Sequence, residues 1–105
     1  MPVAPDYIRK VAKRALEIRE ELSPSRQAGT RVGLARANQL ANGDNVSIQT
    51  LLRMRSYLLR AKQNYTEAKR QGKTAENSKA ILAYMLWGGT RALPWVNREL
   101  KKVGR

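Results

Sequence analysis

The 105-residue sequence has no cysteine, no histidine and no phenylalanine. Without cysteine there is no disulfide and no thiolate metal site. Without histidine the commonest general base and metal ligand is missing. Acidic residues are scarce, 8 against 21 basic ones, and no two carboxylates share a spacing suited to paired acid–base work. There is no Gly-x-Ser-x-Gly elbow. No glycine-rich loop leads into Lys-Ser or Lys-Thr, so a phosphate-cradling loop is not expected. These absences argue against an enzyme and against any cofactor or metal. No apolar run approaches membrane-spanning length. The opening MPVAPDY lacks the basic-then-apolar order of a secretory signal, which fits a reducing cytoplasm. With no phenylalanine, the core must come from Leu, Ile, Val, Met, Trp87, Trp95 and four tyrosines. The length allows one small domain, residues 1–105, with a single core.

What the sequence has in excess is positive charge, +13 in total. A domain this small repels itself at that charge unless a polyanion is near. Nucleic acid is the commonest such partner. A solvated basic surface or an acidic protein partner are the other readings. The charge is uneven, because after Asn45 the only acids are Glu67, Glu76 and Glu99.

Helical periodicity runs through most of the chain. Met1 to Ala4 are expected to be loose, with Pro5 in a first helical turn. Tyr7, Ile8, Val11, Ala12, Ala15, Ile18 and Leu22 then form one apolar face. Ser23-Pro24-Ser25 breaks that helix. Thr30 caps a second helix that ends near Ala41. Gly33 within it predicts close approach of another helix. Asn42-Gly43 is a stop signal, because both residues tolerate the left-handed conformation of a helix end. Asp44-Asn45 favours a turn, and Ser47 is a good N-cap for a third helix.

The third helix has two apolar stripes. Leu51, Met54, Leu58 and Ala61 share one side, with Tyr57 at its edge. Ile48, Leu52 and Leu59 share another. The second stripe packs either within the chain or on another subunit, so these three residues are a candidate oligomer interface. Gln49, Arg53, Ser56 and Arg60 form the polar side. Gln63 to Lys73 is polar and reads as a frayed extension or an ordered arm. Ser78 caps the most apolar run, KAILAYMLW, and Gly88-Gly89 ends it. A last helix starts at Thr90 with Pro94 in its first turn. Trp87 and Trp95 could stack bases, but their apolar neighbours favour core placement. The predicted fold is all-α, a compact bundle of about five helices.

The segment from Val32 to Lys62 resembles DNA-binding helix-turn-helix units. Ala41, Gly43, Val46-Ser47, Thr50 and Arg53 fill the slots of their alanine, glycine, Val-Ser-x-x-Thr-x-x-Arg pattern. Asp44-Asn45 lengthens the turn, which predicts a different crossing of the central helix pair. A recognition-helix reading makes Gln49, Arg53, Ser56, Arg60 and Lys62 the candidate nucleic-acid contacts, with duplex DNA as the partner.

Three further strings recur together. One is Gly33-x-Ala35-Arg36-Ala37-x-x-Leu40-x-Asn42-Gly43. A second runs from Ser47 through Thr50, Arg53, Met54, Ser56 and Tyr57. The third runs from Ser78 through Ala83 to Leu86-Trp87-Gly88-Gly89. Together they resemble a small helical domain encoded by tailed bacteriophages. Leu58-Leu59-Arg60-Ala61 keeps the arginine of that pattern without its histidine. The resemblance implies a helical fold and a phage origin, hence a place in the host cytoplasm or in the virion. Two functions follow as expectations. The first is DNA binding through the basic helix-turn-helix-like face. The second is virion assembly, as a homo-oligomer or on another phage structural protein.

Overall fold

The computed structural model describes residues 2–105. Its elements are α1 (Asp6–Glu21), a single 3-10 turn (Pro24–Arg26), α2 (Arg31–Asn42), α3 (Ile48–Arg70), α4 (Lys79–Leu86) and α5 (Ala92–Lys102). The protein is all-α, five helices with no strand among the described residues. Three of the five helix starts, those of α2, α3 and α4, carry a side-chain cap. The Thr30 hydroxyl accepts the Gly33 N–H at 3.1 Å, Ser47 accepts that of Thr50 at 3.1 Å, and Ser78 accepts that of Ile81 at 3.3 Å. Each bond satisfies an amide that the helix itself leaves open. Gly43 ends α2 in the left-handed region at φ 76°. Pro94 lies in the first turn of α5, where its missing N–H costs nothing.

One continuous core holds the helices. Ile8, Ala12, Ala15 and Ile18 form the buried face of α1, which packs against α2 and α4. Leu51, Met54 and Leu58 form that of α3, which packs on α4 and α5. Trp87 and Trp95 are both buried, the core role expected of them. The radius of gyration, 13.1 Å, is that of a compact chain of this length.

Two segments differ from the sequence reading. The N-terminal residues 2–4 are pinned rather than loose. The Val46 N–H donates to the Pro2 carbonyl at 2.8 Å, Val3 pairs antiparallel with Asn45, and Ala4 is buried. Met1 lies outside the described residues. The lengthened Asp44-Asn45 turn therefore has a partner, since its backbone bonds the N-terminal arm. The stretch from Gln63 to Arg70 is neither frayed nor an arm, but a direct continuation of α3. Its anchors are Ala68, which is buried, and Tyr65, stacked on Tyr84 with centroids 4.4 Å apart. These two continue the helical spacing of Leu58 and Ala61, but one is a small alanine and the other a tyrosine among polar neighbours, so the apolar signal is weak.

Glycine matters most where α4 turns into α5. Gly88 has φ 108°, and a Cβ there would lie 2.8 Å from the Ala92 Cβ and 3.0 Å from Ile8. Gly72 is also left-handed, at φ 78°, but faces open space. Gly72→Ala should therefore cost only the left-handed strain, about 1–2 kcal/mol. Gly88→Ala should cost about 1–3 kcal/mol more through overpacking. Urea unfolding of both variants measures the difference, and equal losses would contradict the packing described.

Candidate nucleic-acid interface

The three strings, far apart in sequence, meet at one side chain. Trp87 follows the last turn of α4 and is buried. Gly33 of α2 makes room for it, since a Cβ at position 33 would lie 3.3 Å from the indole nitrogen. This is the close approach expected at Gly33. From α3, Tyr57 stacks on Trp87 with centroids 4.5 Å apart and planes 15° from parallel. From α2, the Arg36 guanidinium lies 5.5 Å from the Trp87 ring centroid. Arg60 sits over Tyr57 at 5.8 Å. Both contacts are cation–π interactions. Burial pushes the Tyr57 phenol above its ordinary range, against the pull of Arg60, and Tyr84 adds to the rise.

Beside this stack runs a groove of about 780 Å³. One wall is the α1–α2 connection at Gln27–Thr30, together with Val32. Arg53, Ser56, Tyr57 and Arg60 of α3 form another side. Lys79, Ala80 and Ala83 of α4 close it, with Trp87. The connection is held in place from α1. The Arg19 Nε donates to the Ala28 carbonyl at 2.8 Å, and Gln27 donates to the carbonyls of Arg19 and Leu22. Among the described residues, no carboxylate lines the groove. The three acids of the second half of the chain are engaged elsewhere. Glu67 pairs with Arg70, Glu76 with Arg14 and Glu99 with Lys102.

Arg36 is the unusual member of the cluster. It is 8% exposed, the one charged residue in the buried set of the described residues. One terminal nitrogen donates to the Gln39 Oε1 at 2.6 Å, while its Nε has no partner. Burial first, and then the Arg53 charge, draw its pKa below the ordinary arginine value. A guanidinium nonetheless stays protonated, so a buried cation faces a second cation with no counterion between them. Gln39 in turn donates to the Asn45 carbonyl at 3.1 Å, which ties the cluster to the α2–α3 turn.

The α2-turn-α3 unit is present in connectivity, through Gly43–Ser47. Its two helices have their main packing elsewhere, α2 on α1 and α4, and α3 on α4 and α5. Gln49, Arg53, Ser56 and Arg60 are exposed along one side of α3. Arg53, Ser56 and Arg60 share the groove, and Gln49 stands beyond it. Lys62 is also exposed but belongs to a separate depression with Tyr65, Tyr84 and Thr90. Of the candidate interface stripe, Ile48 and Leu52 are half-buried against the core, and only Leu59 is largely exposed, at 58%. Sequence reasoning missed Arg36 and Lys79. The Gly-x-Ala-Arg-Ala string carried a signal for Arg36, and Lys79 opens the helix that Ser78 caps.

Among the described residues, no group of His, Cys, Asp or Glu could hold a metal, and no helix is long and apolar enough to cross a membrane. No protein-family model matches the chain, and no curated protein or solved structure matches it either.

The state of Arg36 is open to a direct stability test. Replacing a buried, poorly paired charge by an apolar side chain of similar reach is often neutral or stabilising. Arg36→Met should thus leave the urea midpoint unchanged or higher, by up to about 1 kcal/mol in stability. Gln39→Leu, which strips the one hydrogen bond from Arg36, should cost about 1–3 kcal/mol. A large loss of stability from Arg36→Met would mean that the charge itself supports the fold.

Proposed function

We propose that this protein binds DNA through the basic face of α3, as an auxiliary protein of a tailed bacteriophage. One observation carries the reading. Arg53, Arg60 and Lys79 converge on one groove, beside the buried Arg36, and none takes part in an ion pair with a carboxylate. Other exposed cations, such as Lys62 and Lys101, are also unpaired, and what distinguishes these three is that they line one groove together with no carboxylate in its lining. Cations left together without counter-charges supply the potential that phosphate requires. Arginine also suits the task chemically, because its planar fork grips a phosphate through two hydrogen bonds. The phage assignment rests on the motif resemblance. Virion assembly through the α3 stripe has less support, since Ile48 and Leu52 are already half-buried against the core.

Neutralising phosphates gives an affinity that falls steeply with salt. A labelled DNA titrated at several salt concentrations should show this slope. Arg53→Ala with Arg60→Ala should reduce the slope by about 2, roughly one unit for each phosphate no longer neutralised. Lys101→Ala with Lys102→Ala, in the last turn of α5, should have a smaller effect. Absence of binding at low salt, or an unchanged slope in the arginine variant, would remove the reading.

A further inference from the structure

We infer that the groove takes an unpaired DNA strand, its phosphates at Arg53, Arg60 and Lys79 and its bases or sugars on the apolar floor. This rests on the nucleic-acid reading above and names the form of nucleic acid that the site selects.

The shape of the site makes the first argument. A recognition helix stands clear of its protein so that one face can enter a major groove about 12 Å wide. Here Arg53, Ser56 and Arg60 lie along the side of a concavity, with the 27–30 connection and Val32 facing them. A duplex could meet these side chains only at the rim. A single strand is narrow enough to lie along this open groove of about 780 Å³.

The second argument is chemical. Cations alone would suit any phosphate backbone, paired or not. The lining of this groove also includes Val32, Ala80, Ala83, Tyr57 and the small exposed part of Trp87. A duplex keeps its base faces stacked inside and has nothing apolar to offer that surface. An unpaired strand has both a phosphate backbone and free base faces, and sites for such strands combine a basic groove with apolar and aromatic surface. Arg53 and Arg60 are two helical turns apart, about 10 Å along the axis, so they reach different phosphates of one strand. Arg36 lies beside Arg53 with its Nε unpartnered, and its uncompensated charge adds to the field at that end. An acidic peptide could satisfy the cations, but its carboxylate side chains offer nothing to the apolar lining of Val32, Ala80 and Ala83.

The test uses fluorescence anisotropy on the whole chain. A labelled oligothymidine is compared with a duplex of equal length at the same salt, and an oligoglutamate peptide serves as competitor. Oligothymidine should bind about tenfold or more tightly than the duplex, a difference of about 1.4 kcal/mol. Two variants place a carboxylate in the groove at exposed positions. Val32→Glu lies in the first turn of α2, and Lys79→Glu in the first turn of α4, where acids suit a helix start. With helicity unchanged by circular dichroism, each should weaken oligothymidine about tenfold and the duplex less. Duplex binding as tight as oligothymidine, or equal weakening of both in the variants, would overturn the unpaired-strand inference and leave DNA binding intact. Displacement of oligothymidine by oligoglutamate at equal concentration would overturn it in favour of an acidic protein partner. Binding of neither DNA at low salt would remove the underlying reading itself.

Discussion

Trp87 is the side chain on which the arrangement of α2, α3 and α4 depends. Neither α2 nor α3 has its principal packing on the other. What joins them is the indole, with Gly33 on one helix and Tyr57 on the other. An aromatic side chain placed this way contributes through its large buried surface and through the stacked geometry. It also dictates its neighbours. Position 33 must be small, because a Cβ would already press on the indole nitrogen. The chain must also turn at once after residue 87, which Gly88 and Gly89 permit with φ of 108° and 80°. The three sequence strings are thus the parts of a single junction, which accounts for their occurring together.

The same junction makes the charge distribution costly. Arg36 rests against Trp87 and loses most of its hydration, with one hydrogen bond in return. A buried charge with an unsatisfied donor lowers stability. Arg53 nearby adds like-charge repulsion. A core of Leu40, Leu51, Met54, Leu58, Leu82 and Leu86, each almost wholly buried, offsets that cost. A fold with no need for positive potential at this point would gain by placing an apolar residue at position 36. Under the proposed function, a bound anion near this point would offset part of that cost, since no carboxylate pairs with Arg36 or Arg53 among the described residues.

Much of the fold was legible because its signals are local. The caps at Thr30, Ser47 and Ser78 and the stop at Gly43 act within a few residues, and each lies where the sequence put it. The buried faces of α1 and α3 follow from periodicity. Long-range pairing left no such trace. Nothing local announces that Val3 pairs with Asn45, or that Tyr65 reaches Tyr84. The candidate contact residues divide in the same way. Gln49, Arg53, Ser56 and Arg60 recur at helical spacing and share a side. Lys62 is nine residues from Arg53, about half a revolution round the helix, so it belongs to another surface. The walls facing Arg53 come from distant segments, and a one-dimensional reading of α3 cannot contain them.

The turn between α2 and α3 explains why the stripe lies in a concavity. In a tight helix-turn-helix the first helix braces the second, whose outer face stands clear. Here Asp44 and Asn45 lengthen the turn, and the turn is tied to the N-terminal arm rather than closed on itself. The Val46 N–H bonds Pro2, Asn45 pairs with Val3, and the Val46 side chain is fully buried. Anchored there, α2 packs on α1 and α4. Its N-terminal end, with the 27–30 connection leading into it, then faces the polar side of α3. Ser78 starts α4 so that Lys79 lies on the same opening. With the turn lengthened and clasped, the polar side of α3 forms one side of an open groove instead of a free-standing convex face. The local pattern that resembles a DNA-reading helix is retained, while its surroundings are those of a groove rather than of a free-standing helix.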